Sequence, residues 1–470
     1  MRTFFIFLFL CTFFSCQKSG ETGGGPVLNT DEFLINAGGK GTDLPNDMFV
    51  DNNDNTYLTG VSRNGQPGDS VYFGNKIERS FGGEDIFMVK YNRFGKVIWA
   101  KMTGSTGWDE GEVIAGDNQD NCFVAGIFGG TVNFGNTSYS PEVSYNSSGT
   151  PNQLDMFLAK YDNEGKEVWV RQIAGVGYER PTSLFIDRDG NLLVTGYFYQ
   201  NAKFGTTVLT APASSFFLAK YTSDGSLLWA KNFGFSSYGS LYPCNLKLDN
   251  NDNIVITGSF EGIQNIGSYN VQSTGGQDVF TAKMDKNGNV IWVKTMGGTS
   301  EENCNALTID QTNNIYIGGL FKNSISSGGF TINSTGSSSD AFFAKLAPDG
   351  NLTWIRSASG NGEENVEDMF IQNDTLYSAG YFTEDFKVDN RVSGSFGWNG
   401  FVTKHNLAGE LAGLTAMKLN SGIAKNIYVN SSGYSMLSGY FSNSISLKGM
   451  GASSFGGLDL FLLKSKLPFQ

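Results

Sequence analysis

DMFLAKYDNEGKEVWVRQIAG, residues 155–175, decides the fold, because near copies of it recur along almost the whole chain. It reads as a β-hairpin: an apolar run over 156–161, a turn built on Gly165, and a second run centred on Trp169. Aligning the copies places a lysine at Lys90, Lys160, Lys220, Lys283, Lys345, Lys404 and Lys464. Three residues earlier stands Phe every time, at Phe87, Phe157, Phe217, Phe280, Phe342, Phe401 and Phe461. Nine residues after the lysine come Trp99, Trp169, Trp229, Trp292 and Trp354, but the sixth copy has Gly413 and the seventh ends too early to supply a ring.

Between these copies lies a second hairpin, as in LFIDRDGNLLVTGYF, residues 184–198, whose arms flank an Asp/Asn/Gly turn. Its glycine returns at Gly60, Gly126, Gly196, Gly258, Gly319, Gly380 and Gly439, at intervals of 59 to 70 residues. Two hairpins per period make one four-stranded unit, and seven such units predict an all-β, seven-bladed β-propeller. The strand chemistry agrees. Phe157, Ala159 and Tyr161 fall on one side of their strand and Met156 and Leu158 on the other, so both faces need cover, as they have when a blade is sandwiched between neighbours. The ends predict closure. With the innermost strand first, blades start near Asp47 and Lys425, the last blade stops after three strands at 459–463, and residues 31–39, with Phe33 in the Trp position and Gly38 in place of Gly104, supply its outermost strand.

The first fifteen residues, MRTFFIFLFLCTFFS, form a positive start and a short apolar run, too short to span a bilayer and built like an export signal. Cys16 follows at once and is the expected lipidation site; residues 16–29 read as a Gly-rich tether and 30–470 as the propeller, expected to be monomeric. Three further cysteines, Cys122, Cys244 and Cys304, give no disulfide framework and are expected as free thiols, with a Cys244–Cys304 bridge as the alternative. The net charge of −12, without a concentrated basic face, argues against nucleic acid.

The repeated D-x-F-x-A-K, followed by G-x-x-x-W and D-x-x-G-N-x-x-x-x-G-x-F, resembles the seven-bladed β-propeller repeat family of bacterial secreted and surface proteins, over residues 31–470. The ending of the leader at Ser15–Cys16 is similar to that of bacterial lipoproteins. That resemblance implies an exported protein at the outer membrane or cell surface with a binding role, and brings no catalytic residue and no cofactor.

The Asp/Asn turns at 51–55, 187–191 and 249–253 lack the distal carboxylate of a calcium loop and are expected to be plain turns. The sole histidine, His405, lies on a third strand and reads as structural, and one His with scattered Cys makes no zinc site. The repeated lysines read as snorkelling side chains or as partners of a carboxylate in the next blade. The candidate ligand site is the face where loops enter the innermost strands, at the channel mouth. Asp43, Asp109, Glu179, Glu302 and Glu364 recur there at one position, with Leu241 and Gly422 in the other two blades, and their repetition favours carboxylates that accept backbone N–H bonds in their own loops over ligand contacts. Trp108, Tyr178, Tyr238 and Tyr242 add aromatic surface on one half, and Glu301 and Glu363 add charge on the other. Rings beside carboxylates suit a sugar or a cationic peptide, so the expected function is non-catalytic binding of a protein or glycan. Two alternatives stand beside it: a glycan hydrolase or lyase using Glu301/Glu302 or Glu363/Glu364, and a scaffold of an envelope complex.

Overall fold

The computed structural model describes residues 31–469, apart from 143, 146–150, 153, 235–239 and 395–396. The expected leader, the lipidation site Cys16, the tether and Tyr238 lie outside the described residues.

Among the described residues the strand pairings define seven antiparallel four-stranded meanders, the blades of a β-propeller. Blade 1 runs Thr42–Val50, Thr56–Arg63, Asp85–Tyr91 and Val97–Thr103 from the axis outward. The remaining innermost strands are Glu110–Gly116, Glu179–Ile186, Leu241–Leu248, Glu302–Ile309, Glu364–Gln372 and Ile423–Val429. The first and seventh therefore begin slightly before the positions expected from the sequence. Phe33–Gly38 pairs antiparallel with Asp459–Ser465, from Phe33 opposite Lys464 to Ala37 opposite Leu460, so the N-terminal segment completes blade 7. This is the closure expected from the sequence.

Each joint between blades is built from repeated residues. The seven repeated Phe rings are fully buried. The outer Trp of one blade lies against the glycine of the next blade's outer turn: Gly165, at φ +74°, would place a methyl group 2.8 Å from Trp99, so the ring needs a residue without Cβ that tolerates this backbone. The indole N–H of Trp99 donates to Asn163 O at 3.0 Å, and Trp169, Trp292 and Trp354 do the same toward Ser223, Pro348 and Leu407. Phe33 takes this place over Gly95. The glycine in the Trp position of blade 6 has a structural explanation. Blade 7 has no outer turn, and the C-terminal tail runs there instead, setting Phe469 against the open side of Gly413, with Thr415 Oγ1 donating to Pro468 O at 2.9 Å. Because Phe469 is half-buried, Phe469→Ala is expected to cost about 2 kcal/mol, read as a lower urea midpoint with an unchanged slope.

The sequence reading missed a short accessory hairpin between the second and third strands, such as Ser70–Phe73 with Lys76–Arg79. Each of these flaps reaches back over the outer edge of the preceding blade. Ala37 pairs with Phe73, Ile173 with Phe204, Gly297 with Ser326 and Ser359 with Lys387. Hydrogen bonds to Asn133 O, Asn265 O and Ser444 O make the other three connections. Outer strand ends are thereby partly sealed.

The repeated lysines form no anion-binding ring. Lys220 and Lys283 pair at 2.7 Å with Asp187 and Asp249 of their own blades, whereas Lys464 of blade 7 reaches Asp54 of blade 1 at 3.3 Å, a partner in the next blade as expected from the sequence. The Asp turns are plain turns, as expected: Asp51 Oδ1 accepts the backbone N–H of Asn53 and Asn55. Cys122, Cys244 and Cys304 are free.

Candidate functional site at the channel mouth

The repeated carboxylates are not on the mouth surface, which corrects the expectation. Asp43, Asp109, Glu179, Glu302 and Glu364 are at most 1% exposed. Asp43 accepts the N–H of Gly39 at 2.7 Å, Asp109 those of Ser105 and Gly129 at 2.6 and 2.9 Å, and Glu302 that of Gly298 at 2.8 Å. Asp43, Asp109 and Glu302 thus hold the loops that enter the blades, a structural reason for an acid to recur at this position. Glu301 is exposed, while Glu363 is half-buried and accepts the Tyr381 hydroxyl at 2.7 Å. In each of the Glu301/Glu302 and Glu363/Glu364 pairs one carboxylate is inside the protein, so neither pair flanks a common surface point.

Three of the four rings lie among the described residues. Trp108 and Tyr178 are 42% and 38% exposed. Their backbones are pinned by bridges to Glu84 and Leu154, so the side chains project from fixed loops. Tyr242 is half-buried and meets Tyr197 edge-to-face at 5.2 Å, and Tyr197 meets Tyr178 in the same way at 5.9 Å.

Beside these rings stands a charge cluster that the sequence reading missed. Arg180 donates to Glu110 Oε2 and approaches Glu112 Oε1, each at 2.7 Å, while Arg63 bridges Glu84 and Glu110 at 3.1 Å. The Arg180 guanidinium lies 5.7 Å from the centre of the Trp108 ring. Burial pushes the Glu112 carboxyl well above the usual range, against the pull of Arg180 and with the push of Glu110. Burial also works against ionisation of Glu110, but hydrogen bonds from Glu112 and Trp108 and the charge of Arg180 hold it below its ordinary value. The signal for this cluster was departure from the repeat: where blade 3 has Arg180, the other blades have Leu44, Glu110, Tyr242, Asn303, Asn365 and Ile423.

Below the mouth each innermost strand carries a one-residue bulge at the same height, at Asn46, Glu112, Thr182, Cys244, Asn305, Glu367 and Lys425. All seven line a central cavity of about 980 Å³. The backbone feature repeats and the side chains do not, which is how a repeat array forms one specific pocket. Around this ring Asp47 accepts the N–H of Ile114 at 2.8 Å and Asp368 that of Ile427 at 2.9 Å, stitching neighbouring blades. Burial raises these two carboxyls to about 6 and about 7.

The mouth offers stacking faces, a fixed guanidinium and acceptor carboxylates. His405 packs 5.0 Å from the Phe343 ring, and burial lowers it to about 4, as a structural residue. Burial pushes the Cys122 and Cys304 thiols up to about 12, which removes them as thiolate nucleophiles.

No known family model matches the chain. It is 27% identical over 201 residues, 37% of this chain and 14% of the other, to an uncharacterized WD repeat-containing protein of Acanthamoeba polyphaga mimivirus. It is 22% identical over 351 residues, 69% of this chain and 35% of the other, to the regulatory protein FlaEY of Caulobacter vibrioides. The aligned parts thus span 14% and 35% of those proteins' own lengths. Among solved structures, YCF48 bound to D1 peptide matches with 10% identity and a TM-score of 0.38, over 95% of this chain and 98% of that one.

Proposed function

We propose that this propeller is a non-catalytic binding protein of the bacterial envelope that takes a protein or glycan partner on its channel-mouth face. The observation that carries the reading is the cluster of Trp108, Tyr178 and Arg180, in which two exposed rings on pinned loops stand beside a half-buried guanidinium, in a part of the ring where the residues depart from the repeat. Flat rings beside a paired guanidinium can hold a sugar face or a basic or aromatic side chain of a peptide. Incubation with panels of glycans and peptides, followed for both retention and product formation, tests this. Retention without turnover is expected, and release of a cleaved glycan would replace binding by catalysis.

One observation favours a catalytic alternative at a different pair from those expected: Glu110 and Glu112 both lie 2.7 Å from the Arg180 guanidinium beside the mouth, and burial raises the Glu112 carboxyl. If it holds, Glu112→Gln abolishes turnover while leaving retention.

The address rests on the leader and Cys16, with the resemblance to exported repeat proteins beside it. The protein is expected to label with a fatty-acid analogue and to sediment with membranes. Cys16→Ser is expected to lose the label and enter the soluble fraction; a labelled variant would contradict lipid attachment at that residue.

A further inference from the structure

The buried carboxylates at the blade joints come in pairs. Each is formed by an Asp at the start of a third strand and the repeated acid of the next blade: Asp85 with Asp109, Asp155 with Glu179, Asp278 with Glu302, Asp340 with Glu364, and Asp459 with Asp43. At the two remaining joints both acids are missing together, with Ser215 facing Leu241 and Asn399 facing Gly422. Acids that appear and vanish together across seven copies of one joint act as units. Two ionised carboxylates brought together out of water repel each other and lose hydration, so a pair persists only if something neutralises it.

The members of a pair are not equivalent. The third-strand Asp accepts backbone N–H groups, as Asp155 does from Glu142 at 3.0 Å and Asp340 from Thr335 at 2.9 Å, and such donors favour its ionised form. In the Asp–Asp pairs the second acid also has its donors, from Gly39, Ser62 and Asn64 on Asp43 and from Ser105 and Gly129 on Asp109. Glu179 and Glu364 differ: both are fully buried, and neither oxygen of either carboxyl has a hydrogen-bond donor in good geometry. A backbone carbonyl oxygen lies within about 5 Å of each. A methyl group built on Gly175 would lie 2.2 Å from Glu179 Oε1 and 2.1 Å from Asn201 O; one on Gly360 would lie 2.7 Å from Glu364 Oε1 and 1.9 Å from Asp385 O. A buried carboxyl that lacks a hydrogen bond in good geometry and stands near a second acid is favoured as the neutral acid.

We propose that Glu179 and Glu364 stand as neutral carboxylic acids at neutral pH, and that their ionisation at higher pH loosens two of the seven blade joints. Charged and titratable groups around Glu179 are Asp155, Glu142 and Lys203, and those around Glu364 are Asp340, Asp385 and Glu363. Acids outnumber the single lysine. Burial first, and these acids second, push both carboxyls from 4.5 to about 9. Between those limits the folded chain binds more protons than the unfolded one, so stability falls as the pH rises through that window. Glu302 keeps the Gly298 N–H and rises only to about 7, an internal comparison. Glu179 directly follows Tyr178, so its loop is one that presents the mouth; an effect on partner binding rests on the function proposed above, whereas the protonation does not.

Melting curves and infrared spectra from pH 6 to 9.5 test this with the whole exported chain. The wild-type melting temperature is expected to fall by at least about 5 °C over that range, and the fall is expected to shrink in Glu179→Gln/Glu364→Gln, whose amides cannot ionise. The wild-type protein is also expected to show a carboxylic acid C=O band with a component that disappears only above about pH 8, so the test survives a variant that fails to fold. An undiminished pH-dependent fall in the double variant would overturn the proposal, as would a wild-type spectrum without that component. Restoration of the alkaline melting temperature by calcium, in the wild type and not in the variant, would also overturn it, by making the pairs cation sites.

Discussion

Deletion of residues 31–38 is expected to remove most of the cooperative stability of the propeller, although it takes away only one short strand. Phe33 and Leu34 are less than 10% exposed, and burial of each contributes about 2 to 3 kcal/mol. The strand also covers Leu460 and Leu462, seats Phe33 over Gly95 and gives Ala37 to the flap at Phe73. Its loss opens the ring at blade 7 and exposes an unpaired edge, a total of about 5 kcal/mol or more against a typical whole-domain stability of about 5 to 15 kcal/mol. Trimming residues 17–29 removes none of these contacts. Thermal and urea unfolding of the two truncations compare them directly: a large drop is expected for the first and none for the second. Equal melting would mean that the ends do not close the ring.

The second large effect is expected on binding. Trp108→Ala with Tyr178→Ala removes two rings that are about two-fifths exposed and leaves their loops anchored by backbone bridges to Glu84 and Leu154. A stacked aromatic at the centre of an interface typically carries about 2 kcal/mol or more, so losing both is expected to weaken the partner by roughly 100-fold or more. The melting temperature is expected to move little, because half-exposed rings contribute little to the core. Arg180 is the wrong first target. Its removal would leave Glu110 and Glu112 close together in a partly desolvated place, mixing a folding effect with a binding one. Unchanged affinity in the ring variant would move the site off this face.

The fold was legible because the joints repeat. A Trp that always meets the next blade's turn glycine, and a Phe that is always buried, leave the same letters at the same spacing seven times or nearly so. Closure was legible because Phe33 repeats the Trp position in a segment that otherwise had no partner. The flaps were not, since strands such as Ser324–Ser327 and Phe330–Asn333 are four residues long and largely polar, and reach the neighbouring blade through a few hydrogen bonds, between Ser326 and Gly297 and from Ser327 to Thr295 O. Gly413 looked like decay of the motif because the ring that compensates for it, Phe469, comes from beyond the last repeat. For the site, repetition marks structural residues. It singled out Asp43, Asp109, Glu179, Glu302 and Glu364, which are buried at the joints, whereas Arg180 and Glu112 belong to no repeated side-chain pattern and meet only when blades 2 and 3 are set side by side.

Hydroxyl-radical footprinting with and without a bound partner tests the central claim, that the mouth of the channel is the binding face. Trp108 and Tyr178 are expected to be protected on binding, while Phe94 and Ile98 on the outer rim, 50% and 43% exposed, keep their reactivity. Protection of the rim residues with Trp108 and Tyr178 unchanged would contradict it.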